Sequence, residues 1–197
     1  MKPPAPRRRR RQQTKRLRGA ARIGLDIVVD SRLWQVERGV RAWLRRALRE
    51  AAAMAATKGG ELAIVLTDDS AIRALNRDWR GKDTATNVLS FPAPIRSRPG
   101  NAPPPGRPHL MGDIVIAYET AAREARAEGR PFQHHLAHLA VHGFLHLLGH
   151  DHASDAEADA MEALEIAVLA RLEVPNPYRG SSALLPRKGA KERAPDC

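Results

Sequence analysis

The sequence predicts an α+β domain: a small mixed sheet of three or four strands packed with several helices, with a metal site at the end of a central helix. Three observations predict it. Short β-branched or apolar runs alternate with segments of helical period along most of the chain. Glycines and prolines fall between these segments, where turns are needed. Seven of the eight histidines crowd into residues 134–152, across the end of one predicted helix.

The elements follow in order. Residues 23–29, Ile-Gly-Leu-Asp-Ile-Val-Val, read as a strand. Trp34, Val40, Trp43, Leu44, Ala47 and Leu48 recur at helical spacing and predict one long amphipathic helix running to residue 56. Gly59 and Gly60 break it, and Leu62 to Leu66 form a short apolar strand. Asp68, Asp69 or Ser70 caps a short helix ending near Arg77. Residues 80–87 are polar and loop-like, and Val88 to Phe91 form a strand closed by Pro92. Residues 93–110 hold six prolines and no apolar period, so they read as an exposed loop insertion. Asp113 to Ala117 resume a strand, and residues 118–129 form a helix stopped by Gly129. Pro131 opens the next helix, which ends at Gly149 after Leu148. Asp155 to Leu172 form a final amphipathic helix, and no internal repeat is evident.

A length of 197 residues suits one domain with a real core. Aromatics are only 4% of the chain, so Leu, Val, Ile and Ala must build most of that core. Cys197 is the only cysteine, which leaves no intrachain disulfide. No apolar run reaches the roughly 18 residues of a membrane span. The net charge of +11 belongs to the ends of the chain. Residues 1–22 carry ten Lys or Arg and no acid, residues 176–197 carry +3, and the body between them carries −2. We therefore expect a disordered basic arm over 1–22, a folded domain over 23–178 and a disordered tail over 179–197. The Arg7 to Arg11 block either assists binding to a polyanion or solubilises the chain. No apolar stretch follows the N-terminal charges, which argues against a secretory signal. The arm is Arg-rich like a transit peptide but has no Ser before Ser31, so the expected location is the cytoplasm.

The histidine cluster carries the chemistry. His142 and His146 are four apart on the predicted helix, hence on one face with adjacent side chains. Gly149 stands where a left-handed residue reverses the chain, which would return His152 toward them. Three neutral imidazoles would then hold one zinc ion and leave a fourth position open, as catalytic sites do. A bound zinc lowers the pKa of its water to about 7. His138 shares the face of His142, while His150 is expected to be a solvated turn residue. The same spacing occurs in metzincin proteases, H-E-x-x-H-x-x-G-x-x-H, whose Glu is the general base. Here that position is Gly143, so the protease base is missing.

The run from His142 to His152, His-Gly-Phe-Leu-His-Leu-Leu-Gly-His-Asp-His, resembles the signature of the YbeY endoribonuclease family of rRNA maturation factors, H-G-x-L-H-L-x-G-Y-D-H. Leu75-Asn76 and Arg80-Gly-Lys-Asp-Thr-Ala-Thr-Asn-Val-Leu-Ser-Phe-Pro92 agree with that family as well. So do Gly112-Asp113-Ile114 and the acidic segment from Asp155 to Glu165. The resemblance spans residues 23–178. It implies a mixed α+β fold and one zinc ion on His142, His146 and His152. It implies single-strand-specific RNA cleavage, 3′-end maturation of small-subunit ribosomal RNA and ribosome quality control. The implied partners are single-stranded and ribosomal RNA, with the small subunit or its assembly proteins. It marks Arg80 as the functional arginine. One departure is His150, which stands where the family usually has Tyr.

The residues of the second segment are compatible with this. Arg80 offers a planar fork suited to phosphate, and Lys82 adds a point charge. The structural alternative is an ion pair of Arg80 with Asp83 or another acid. Thr84, Thr86 and Asn87 either donate to a phosphate or cap a turn, and Asp113 is expected to be a structural acceptor. The leading mechanism is phosphodiester hydrolysis at a single zinc with Arg80 stabilising the charge on phosphate. Water or the ribose 2′-hydroxyl would be the nucleophile, and the sequence does not choose between them or name a base. Two other readings are a ribosome-assembly factor with structural zinc and no catalysis, and a metalloprotease.

Overall fold

A computed structural model describes residues 23–57, 59–93, 109–151 and 154–179. Among these residues the chain forms β1 (Ile23–Val29), α1 (Val40–Met54), β2 (Gly60–Thr67), α2 (Asp69–Arg80) and β3 (Val88–Pro92). β4 (Leu110–Ala117), α3 (Tyr118–Ala127), α4 (Phe132–Leu147) and α5 (Asp155–Arg171) follow. The four strands lie in the order β1-β2-β4-β3. β1 and β4 flank β2 in parallel, and β3 closes the sheet antiparallel to β4. The expected α+β class with a mixed sheet is what the chain adopts. No helix of the described residues is long and apolar enough to cross a membrane.

The alternation of side chains along a strand explains the layering. On β4, Ile114 and Ile116 enter a large core with α1, α4 and α5, while Val115 and Ala117 face a smaller core on the opposite side. That smaller core is closed by Ile72 and the half-buried Leu75 of α2. With both faces covered, β4 reads as a near-continuous apolar run. Helix α4 sits at the centre of the larger layer, packed on β3, β4, α1, α3 and α5.

Three element boundaries differ from the sequence reading. The predicted helix across residues 34–56 is two elements: a 3-10 turn at Arg32–Val36 and α1 from Val40. Gly39, with φ of 78°, separates them. Trp34 keeps apparent helical spacing because it enters the same core, where its indole N–H donates to the Thr67 carbonyl at 2.8 Å. The short helix after β2 starts as expected, with the Asp68 carboxylate accepting from the Ala71 N–H at 3.0 Å. It continues past Arg77 to Arg80 and stops at Gly81, whose φ of 67° is left-handed. Arg80 is thus a helical residue rather than part of a loop. β4 begins at Leu110, inside the stretch read as loop insertion. The expected basic arm, most of the Pro-rich insertion, the C-terminal tail and His152 lie outside the described residues.

Candidate metal centre and cleft

The end of α4 is built by its own sequence. Leu148 caps the helix, Gly149 takes φ of 89°, and the chain reverses through paired bonds. The His150 N–H donates to Leu145 O at 3.1 Å and the Gly149 N–H to His146 O at 3.0 Å. This is a Schellman turn, which needs a residue at ease in the left-handed region. Its consequence is chemical. The reversal brings the His150 carbonyl to 2.9 Å from His146 Nδ1, so that ring nitrogen is the donor.

His142 is oriented by a different acceptor. Its Nδ1 lies 2.9 Å from Glu165 Oε1, on the neighbouring helix α5. Glu165 has no exposed surface, and its other oxygen accepts from His138 Nε2 at 3.2 Å and from the Tyr178 hydroxyl. Burial alone pushes this carboxyl up, but hydrogen bonds from His138 and His142 outweigh it and hold it at about 2. Burial, with Glu165 beside it, keeps the Tyr178 phenol well above its usual range, so it donates. An ionised Glu165 is an acceptor only, which makes His142 Nδ1 a donor as well.

In the neutral form of each ring the proton is then on Nδ1 and the lone pair on Nε2. These two Nε2 atoms lie 3.2 Å apart, with ring planes at 83°. Two lone pairs at this distance are reconciled by a cation between them, a proton or a metal ion. Two imidazole ligands of a tetrahedral zinc, with Zn–N of about 2.0–2.1 Å, have nitrogens about 3.3–3.4 Å apart. The outer hydrogen bonds to carboxylate and carbonyl are also those that metal-binding histidines use. The residues present therefore fit a zinc ion. Among the described residues no group of three or more His, Cys, Asp or Glu is placed to hold a metal ion. The third expected ligand, His152, lies outside the described residues.

The two rings open into a cleft of about 410 Å³ lined by Arg80, Val88, Ser90, Pro92, Gly149, His150 and Asp151. Arg80 thus joins His142 and His146 although 62 positions separate it from the first of them. The alternative partner proposed for it is taken: Asp83 makes a two-pronged pair with Arg73, at 2.8 Å for each bond. No described acid pairs with Arg80, which is exposed at the end of α2. Lys82 is exposed and does not line the cleft. Asn87 serves structure instead, donating to Glu124 at 2.8 Å. Asn76, nearly fully buried, donates to the Thr84 carbonyl at 2.8 Å and holds the polar loop against α2. Asp113 is exposed, and no hydrogen bond of its carboxylate to another described residue supports the acceptor role expected of it.

Gly143 has a positive reason to lack a side chain. A Cβ there would stand 2.9 Å from Ser90 Oγ and 3.0 Å from Ile114 Cγ2. Helix α4 rests on β3 and β4 at this point, and the Ser90 hydroxyl donates to the Gly143 carbonyl at 3.1 Å. A glutamate at the protease position has no room. Gly143→Ala gains up to about 1 kcal/mol of helix propensity. It also drives Ser90 and Ile114 aside, at about 1–3 kcal/mol. The expected result is net destabilisation, read as a lowered denaturation midpoint in urea.

The family model for the endoribonuclease YbeY matches residues 28–173. The chain belongs to the YbeY endoribonuclease family. It is 52% identical over 163 residues to a Rhodopseudomonas palustris protein named Endoribonuclease YbeY, covering 82% of this chain and 84% of that one. A Nitrobacter hamburgensis protein of the same name is 53% identical over 156 residues, 78% of this chain and 80% of the relative. A Bradyrhizobium protein, also so named, is 50% identical over 155 residues, 78% of this chain and 90% of the relative. A solution structure of a Thermotoga maritima protein aligns over 82% of this chain and 99% of that chain, at 20% identity and a TM-score of 0.46. Within the YbeY family match lie Arg80, His142, His146, His152 and Glu165.

Glu165 and Tyr178 were not singled out from sequence. A signal for Glu165 was present. It lies four residues after Met161 and three and four before Val168 and Leu169, all fully buried, so it is a lone carboxylate on the apolar stripe of α5. Tyr178 lies beyond the last helix and offered no comparable pattern.

Proposed function

We propose that the chain is a zinc-dependent endoribonuclease that cuts single-stranded RNA in the cleft between α4, β3 and the end of α2. The observation that carries this is the facing pair of Nε2 atoms on His142 and His146, 3.2 Å apart and opening on the same cleft as Arg80. His142, His146 and His152 would hold one zinc ion. When bound, the ion supplies Lewis-acid charge stabilisation and makes water more acidic near neutral pH. Glu165 and the His150 carbonyl fix the tautomers that present both Nε2 atoms. Arg80 binds the scissile phosphate, where a planar donor fork stabilises the charge that grows during cleavage. Lys82 adds positive charge outside the cleft, toward the flanking strand.

Membership of the family supports an RNA substrate, and the cleft supports a catalytic rather than a buried structural ion. The proposed task is 3′-end maturation of small-subunit ribosomal RNA and ribosome quality control in the cytoplasm, with the small subunit or its assembly proteins as partners. A metalloprotease is disfavoured by the contact of α4 with Ser90 and Ile114 at Gly143. The test is metal removal: the chelated protein loses cleavage of a single-stranded oligoribonucleotide, and one equivalent of zinc restores it. Cleavage unaffected by chelation would overturn the reading.

A further inference from the structure

Three tryptophans occupy very different places. Trp34 is 2% exposed and its indole N–H donates to Thr67 O. The indole N–H of the partly buried Trp43 donates to Gln133 O at 2.7 Å. Trp79 is 72% exposed and its N–H meets no acceptor among the described residues. Its ring meets that of Phe91 edge-on, at a ring separation of 5.8 Å and 66°.

Its surroundings carry an excess of positive charge. Along and just after α2, Arg73 is paired with Asp83 and Arg77 with Asp78, at 2.8 and 2.9 Å. That leaves Arg80 and Lys82, on either side of Gly81 and next to Trp79 in sequence, with no described acid partner. β3 is an edge strand of the sheet. Its Val88, Ser90 and Pro92 line the cleft, while Phe91 between them meets Trp79 on the other face. One strand edge therefore separates the proposed phosphate site from an exposed indole.

A positively charged track beside an exposed aromatic face is how proteins hold single strands: the cations follow the backbone and the ring stacks on a base. We infer that Trp79 is a base-stacking subsite for the nucleotide flanking the phosphate held by Arg80. This rests on the ribonuclease reading above and adds to it a residue that favours unpaired RNA, since a base already paired in a duplex cannot stack on the indole.

The test uses the full chain and a short single-stranded oligoribonucleotide. Aromatic stacking contributes about 1–3 kcal/mol per base, so Trp79→Ala is expected to raise KM by about 5- to 150-fold. With the interaction made equally in ground and transition states, kcat should stay within about twofold. Trp79→Phe should recover most of the loss. The oligonucleotide should also quench tryptophan fluorescence in the wild type and not in Trp79→Phe. If the wild type fails to cut RNA but is still quenched in this Trp79-dependent way, the catalytic reading falls and the stacking subsite stands. A wild-type KM in Trp79→Ala, or quenching that survives in Trp79→Phe, overturns the inference. So does a Trp79→Ala variant whose only change is a smaller oligomer on gel filtration, since the indole would then belong to a contact between copies.

Discussion

Arg80→Ala is expected to lower kcat on single-stranded RNA by about 100- to 1000-fold, the loss seen when one preorganised donor to a developing negative charge is removed. The protein should remain folded. Arg80 is exposed and makes no ion pair with a described acid, and substitutions at such surface sites change stability by about 0.5 kcal/mol or less. Arg80→Lys should recover only part of the rate, because an ammonium keeps the charge but loses the two-pronged geometry. A wild-type rate in Arg80→Ala would remove this residue from the mechanism. A non-catalytic assembly factor with structural zinc predicts the reverse: His146→Ala unfolds the domain, and Arg80→Ala leaves cellular function intact.

Glu165 is expected to give the larger effect on the protein itself. Its carboxylate is fully buried and serves His138, His142 and Tyr178 together. Glu165→Ala leaves three partly buried polar groups without their acceptor, and leaving such groups unsatisfied costs about 1–3 kcal/mol. Glu165→Gln keeps the volume but places an amide NH₂ against one of the donors. It should fold, and its zinc affinity should fall about 10- to 100-fold, the usual effect of losing an outer partner of a metal-binding histidine. Competition with a chromophoric chelator measures that affinity independently of turnover. Unchanged affinity in a folded Glu165→Gln would show that Glu165 does not set the His142 tautomer.

Much of this architecture was legible because it is local. β-branched runs, the Asp68 cap and the reversal at Gly149 are dictated within a few residues, and each is found where the pattern put it. The spacing of His142 and His146 placed two rings on one face for the same reason. What sequence missed depends on contacts between distant segments. Trp34 mimicked a helix because its core position, not its backbone, follows the period. The partner of Asp83 turned out to be Arg73, two helical turns before Arg80 on α2. Glu165 meets His142 only once α5 packs on α4. Gly143 read as a missing base, and only the packing of α4 against Ser90 and Ile114 shows why nothing larger fits.

On the proposed reading, one zinc on His142, His146 and His152 makes this chain a ribonuclease. Metal analysis of the purified full chain, alongside cleavage of a single-stranded oligoribonucleotide, tests it most directly. The wild type should contain one zinc per chain, lose metal and cleavage together on chelation, and regain both with one equivalent of zinc. His142→Ala, His146→Ala and His152→Ala should each bind zinc far more weakly and fail to cut. Stoichiometric zinc in all three variants, or full cleavage by a protein shown to be free of metal, would rule out a catalytic zinc held by these histidines.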